Sequence, residues 1–120
     1  MTEHVEGTFT GAAGGSVYWQ AWVPDAVKAV VVLSHGLAEH SGRYAHVAAR
    51  LNDAGYVVYA LDHRGHGRSE GTPGNIETMA FVRADLDTLL TKARGEHAGL
   101  PVFLLGHSFG GLTALDYLVD

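Results

Sequence analysis

Ser108 stands between Gly106 and Gly110 in Gly106-His107-Ser108-Phe109-Gly110-Gly111, the Gly-x-Ser-x-Gly spacing of a nucleophile elbow. The chemistry open to a serine so placed is attack on an electrophilic carbonyl, with transfer of its acyl group to the hydroxyl oxygen. A sharp strand-to-helix turn imposes strained backbone angles at its apex and brings main chain close to main chain. Glycine is wanted on either side because a Cβ there would clash. The N–H of Phe109 opens the following helix without an intrahelical acceptor. It points where negative charge develops on an attacked carbonyl oxygen, which makes Phe109 a candidate oxyanion-hole donor.

In a chain with 16 glycines among 120 residues, that spacing needs support from the elements around it. Residues 101–105 (Pro-Val-Phe-Leu-Leu) form an apolar run of strand composition, and Leu112, Leu115, Leu118 and Val119 recur at helical spacing. The alternative, a glycine-rich turn whose serine only caps the helix, does not account for that context. Upstream, residues 5–10 and 16–23 alternate as two strands of a hairpin around Gly11-Ala12-Ala13-Gly14-Gly15. Residues 28–33 and 56–61 are continuous apolar runs, the mark of strands covered on both faces in a parallel sheet. A helix over residues 42–54 is expected from Tyr44, Val47, Ala48 and Leu51 on one face. A second is expected from an N-cap at Thr78 to Arg94, stopped by Gly95. Trp19 and Trp22 are assigned to packing.

Strand and helix in alternation predict an α/β fold: a mostly parallel, doubly wound sheet with an N-terminal hairpin, whose ligands bind beyond the carboxyl ends of the strands. Three loops lie there, at residues 34–41, at 62–74 and at the elbow.

A net charge of −5 without any basic run excludes nucleic acid as a partner. The absence of cysteine excludes disulfides, thiol chemistry and cysteine–zinc sites. The polar first 15 residues lack the apolar segment of a signal peptide, and no apolar run approaches the ~20 residues that span a bilayer. The expectation is a cytoplasmic protein, peripheral to the membrane at most. Of the eight histidines, His107 follows its serine's strand on the opposite face and reads as scaffold rather than general base. His35, His40, His63 and His66 have metal-ligand chemistry but are divided between two loops, and neither a metal nor a cofactor is expected. In Asp62-His63-Arg64-Gly65-His66-Gly67 the expected role is a loop pinned by side-chain hydrogen bonds, and Glu39 is expected to fasten its own loop through Arg43 or His40.

Three stretches, His35-Gly36-Leu37-Ala38-Glu39-His40-Ser41-Gly42-Arg43-Tyr44, Asp62-His63-Arg64-Gly65-His66-Gly67-Arg68-Ser69 and the elbow, come in an order and spacing that resembles the monoacylglycerol lipase family of α/β hydrolases. The resemblance runs from about Val30 to the last residue. It implies the α/β-hydrolase fold and a nucleophilic Ser108. It also implies an oxyanion hole made by the backbone N–H groups of Leu37 and Phe109. The implied substrate is a small lipid ester, met in transient contact with a membrane surface, while the oligomeric state is left open. Ala38 stands where the family commonly has glycine, and Phe109 where methionine is usual. Both changes bear on acyl-chain preference rather than on the chemistry, and the Phe109 ring is expected to line the acyl side of the pocket. Another esterase, a lysophospholipase-like hydrolase and a non-catalytic α/β-hydrolase-like binding domain are the alternatives.

In α/β hydrolases the order along the chain is serine, acid, histidine. Here residues 109–120 contain no histidine. Asp116, two helical turns past the elbow, is expected to point away from its apex. Residues 1–120 are therefore expected to form a single incomplete domain, the N-terminal part of an α/β hydrolase whose later strands, lid, acid and base lie further on.

Overall fold

A computed structural model describes residues 2–36, 39–71, 74 and 78–119, the side chains of Leu112 and Val119 excepted. Five strands form one mixed sheet in the order β1-β2-β4-β3-β5. β1 (Glu3–Thr10) and β2 (Ser16–Val23) are the antiparallel hairpin, and β2 also pairs antiparallel with β4 (Tyr56–Leu61). β3 (Ala29–Ser34) runs parallel to β4 on one side and to β5 (Val102–Gly106) on the other. The crossovers carry α1 (Ala45–Asp53) and α2 (Met79–Glu96), and α3 (Phe109–Val119) follows β5.

The unbroken apolar runs have the cause their sequence suggests. Alternate residues of a strand face opposite sides, and both sides of this sheet are covered. Val30, Val32, Val57 and Tyr59 pack with Leu86, Leu89, Leu90 and Ala93 of α2 on one face. Val31, Leu33, Val58 and Ala60 meet Ala48 of α1 on the other, with Trp22, Tyr44, Val47 and Leu51 against them. Trp19 lies in the first of these clusters. Asp85 sits buried within the apolar face of α2, where its Oδ1 accepts the Ala12 N–H at 2.8 Å and ties the hairpin turn to the helix.

Two local features depart from the sequence reading, and a third concerns the elbow strand. The helix expected over 42–54 begins as a 3₁₀ turn, Ser41–Tyr44, before α1 takes over at Ala45. Gly95 does not stop α2. It lies inside the helix, and the last turn is held by Glu96, which accepts from Tyr59 Oη at 2.5 Å and Lys92 Nζ at 3.0 Å. The left-handed turn comes later, at Gly99 with φ +84°. The elbow strand β5 alternates half-buried and exposed residues. Phe103 and Leu105 are 55% and 43% exposed, with no described residue packed over them as a covering layer.

The parallel strands and their helices bring the three sequence-identified loops to one end of the sheet. Ser34 of β3 is in register with Gly106 of β5, so the first loop leaves the sheet directly beside the elbow.

Candidate active site

Ser108 occupies the turn between β5 and α3, exposed, at φ +55°. It is the one non-glycine at positive φ among the described residues, and a left-handed backbone at a side-chain-bearing residue is held only when the surroundings dictate it. The flanking glycines show what dictates it. A Cβ on Gly106 would lie 2.5 Å from the carbonyl oxygen of Gly110, and one on Gly110 would lie 1.9 Å from that of Ser34. The start of α3 is thus pressed main chain to main chain against the end of β3. His107 N–H donates to Ser34 O at 3.2 Å, and Gly110 N–H donates to His107 O at 2.9 Å, closing the turn. Phe109 is the first residue of α3, and its N–H is among those a helix leaves without an internal acceptor. Its ring packs T-shaped against that of His63, centroids 5.9 Å apart.

The first loop abuts this turn. A Cβ on Gly36 would approach the His107 carbonyl oxygen to 3.2 Å. Leu37 and Ala38 lie outside the described residues. On either side of them the loop is cross-tied by Glu39, whose Oε2 accepts from Gly36 N–H at 2.7 Å and Tyr44 Oη at 2.8 Å and lies 3.3 Å from His107 Nδ1. Burial opposes the charge of Glu39, yet the bonds from Tyr44, Gly36 and His107 outweigh it and hold the carboxyl below its ordinary range. The Tyr44 phenol is pushed up to about 12 by burial and by the same carboxylate. Glu39 fastens its loop as the sequence reading expected, but through Gly36, Tyr44 and His107 rather than through Arg43 or His40. Tyr44 was legible only as an apolar helix-face residue, and nothing in its spacing announces a hydroxyl aimed at Glu39.

Beneath these loops lies a buried histidine cluster. The rings of His35 and His63 are 4.3 Å apart and those of His35 and His66 are 5.3 Å apart. The backbone N–H of His63 donates to His35 Nε2 at 2.9 Å. That nitrogen therefore carries no proton, and His35 Nδ1–H donates to Gly36 O at 2.6 Å. Burial pushes the pKa of His35 below the ordinary histidine value, and burial with the neighbouring His35 and His66 rings pushes that of His63 well below it. The second chemistry-bearing loop is pinned from its carboxylate. Asp62 Oδ1 accepts from Ser41 N–H at 2.7 Å and Ser41 Oγ at 2.6 Å, while Oδ2 accepts from Arg68 N–H at 2.9 Å. Ser69 Oγ donates to the Asp62 carbonyl.

The structure does not bring a base or an acid to Ser108 from within the described residues. His107 turns an exposed ring towards Glu39. Asp116 is engaged by Arg83 at 2.7 Å, on the α2 side of α3. Among the described residues no group of three or more metal-ligating side chains could hold an ion, and no helix is long and apolar enough to cross a membrane.

Residues 25–120 match the family described as Serine aminopeptidase, S33. A monoacylglycerol lipase of Mycolicibacterium smegmatis is 48% identical over 113 residues, which cover 93% of this chain and 40% of that protein. The human monoglyceride lipase is 39% identical over 105 residues, covering 87% of this chain and 35% of that protein. A solved lipase in an open form superimposes with a TM-score of 0.90 at 34% identity, over 98% of this chain and 40% of that one. The chain thus spans about two-fifths of the length of the proteins it matches.

Proposed function

The chain belongs to the Hydrolase_4 family (Serine aminopeptidase, S33) of α/β hydrolases, and from that premise we propose that it carries the nucleophile of a serine ester hydrolase, with Ser108 as the attacking residue. The observation that carries this reading is the strained, exposed apex. The backbone at Ser108 stands at φ +55°, an arrangement that a capping or packing serine has no need of.

In the proposed reaction Ser108 Oγ attacks the carbonyl carbon of an ester. The carbonyl oxygen takes up negative charge opposite the N–H groups of Phe109 and Leu37, the alcohol leaves, and the acyl group remains on Ser108 until water removes it. The general base that takes the Ser108 proton, and the carboxylate that orients it, are supplied from outside these 120 residues. The chain's own residues hold the oxyanion loop (Glu39, Tyr44, His35) and the Asp62 loop beside it. A small lipid ester is the substrate, in keeping with the monoacylglycerol and monoglyceride lipases among the relatives. The enzyme meets it at a membrane surface. The 120 residues form part of a single α/β-hydrolase domain.

An activated serine reacts with fluorophosphonates and an ordinary one does not. The full-length protein is expected to label at Ser108, and Ser108→Ala to abolish both labelling and p-nitrophenyl butyrate turnover. Labelling at another residue, or none in the folded protein, would refute the assignment.

A further inference from the structure

His35, His63 and His66 form a buried cluster that the reaction itself does not use. His35 is fully buried and both its ring nitrogens are committed, Nε2 to the His63 N–H and Nδ1 to the Gly36 carbonyl. It thereby fastens the first loop at the residue where that loop leaves β3, from the side opposite Glu39, which holds the Gly36 N–H. A proton added at Nε2 would set an N–H against the N–H of His63. The ring would be forced out of the position from which it holds Gly36. His63 Nε2 is taken by Ser34 Oγ at 3.0 Å and His66 Nδ1 by the Arg64 carbonyl at 3.0 Å. The remaining nitrogens, His63 Nδ1 and His66 Nε2, are buried without a hydrogen-bond partner among the described residues. The charged groups facing the cluster are the Asp62 and Glu39 carboxylates. Each is already occupied, by Ser41 and Arg68 in one case and by Gly36, Tyr44 and His107 in the other. From α3 the Phe109 ring packs T-shaped against His63.

We propose that His35 is a positioning residue that holds Gly36, at the root of the oxyanion loop, in place beside the elbow only while its ring is neutral, so that protonation of His35 releases that residue. The proposal rests on the reading of Ser108 as nucleophile. It acts through the loop and not through proton transfer with substrate. Burial favours the neutral ring at neutral pH, which keeps the clasp closed there.

Two measurements on the full-length protein test it. Long-range 1H–15N NMR reports the tautomer of each ring. His35 is expected with its proton on Nδ1 at about pH 7.5, and a proton on Nε2 overturns the proposal whatever the activity. Ester turnover then separates positioning from packing. His35→Asn keeps an N–H near the place of Nδ1, whereas His35→Gln moves its amide to the place of Nε2 and leaves Gly36 O without a donor. The Gln variant is expected to lose about 100-fold in kcat with KM within about threefold, and the Asn variant to recover about tenfold of that loss. The acid limb of kcat is expected to be about one proton steeper in the parent than in the Asn variant. Equal losses in the two variants, or equal steepness, overturn the proposal while leaving Ser108 as nucleophile. Turnover retained in Ser108→Ala overturns the nucleophile reading, and this proposal with it.

Discussion

Replacing Ser108 by glycine should stabilise the protein while abolishing its chemistry. The left-handed region costs a residue with a Cβ about 1–2 kcal/mol, and Ser108 is held there at φ +55°. Glycine removes that cost but gives up about 0.5–1 kcal/mol of additional backbone entropy in the unfolded chain. The informative comparison is therefore Ser108→Gly with Ser108→Ala, since both delete the hydroxyl and they differ only in the Cβ. At an ordinary position the alanine variant is the more stable by about 0.5–1 kcal/mol. Here the order should reverse, with the glycine variant more stable by about 0.5–1 kcal/mol, because Ser108 is exposed and its Cβ contributes little packing. Equilibrium urea unfolding of the two full-length variants resolves a difference of that size when their m-values agree. An alanine variant as stable as the glycine variant would refute the claim that the apex is strained, and with it the main physical support for Ser108 as a positioned nucleophile.

Acid should begin to destabilise the protein in the histidine range, above the pH at which the paired Glu39 and Glu96 titrate. The folded pKa values of His35 and His63 are depressed below 6.5, so below that pH the unfolded chain takes up protons that the folded one refuses. Stability is then lost as pH falls below 6.5, by at most about 1.4 kcal/mol per pH unit for each ring and only until that ring's depressed folded pKa is reached, and Glu39 and Glu96 add their own losses only below 4.5. Urea titrations at about pH 7.5, 6 and 5 should show the slope, and a flat profile would contradict the burial argument. Gly110→Ala should fail to give a folded protein, or lose more than about 4 kcal/mol, because its Cβ would stand 1.9 Å from the Ser34 carbonyl oxygen. A normal unfolding midpoint would show that the contact can open. Asp116→Asn should leave fluorophosphonate labelling intact and cost less than about 1 kcal/mol, since the half-exposed Asp116 serves Arg83. Loss of labelling would return Asp116 to consideration as the orienting acid.

Much of this fold is written in local pattern. Val30, Val31, Val32 and Leu33 could be read as a doubly covered strand because their types alone demand burial on both sides, and the faces of α1 and α2 follow from helical spacing. The elbow was legible because its two glycines answer a steric demand made within a few residues. Other features depend on partners distant in sequence. Nothing near Asp62 announces Ser41, nothing near Asp85 announces the Ala12 amide, and Gly95 looked like a stop only until Tyr59, 37 residues from Glu96, proved to hold the next residue in the helix. The histidines illustrate the same limit. Their residue types suggested ligands, but the proton on the His35 ring is placed by backbone groups, the Gly36 carbonyl and the N–H of His63 from another loop.

The contact of Gly110 with Ser34 bears on how such a site can change its clientele. No side chain acts as a spacer between Gly110 of α3, two residues past Ser108, and Ser34 at the end of β3, so their spacing is set by main chain. On the proposed reading of Ser108, the rims and linings can be exchanged for those suited to a longer acyl chain or a different alcohol, with the reacting frame left as it was. A shift of the frame itself would require two elements to move together. Engineering of a hydrolase built this way is thus best kept away from the small bare seam that sets the distance of Ser108 from the first loop.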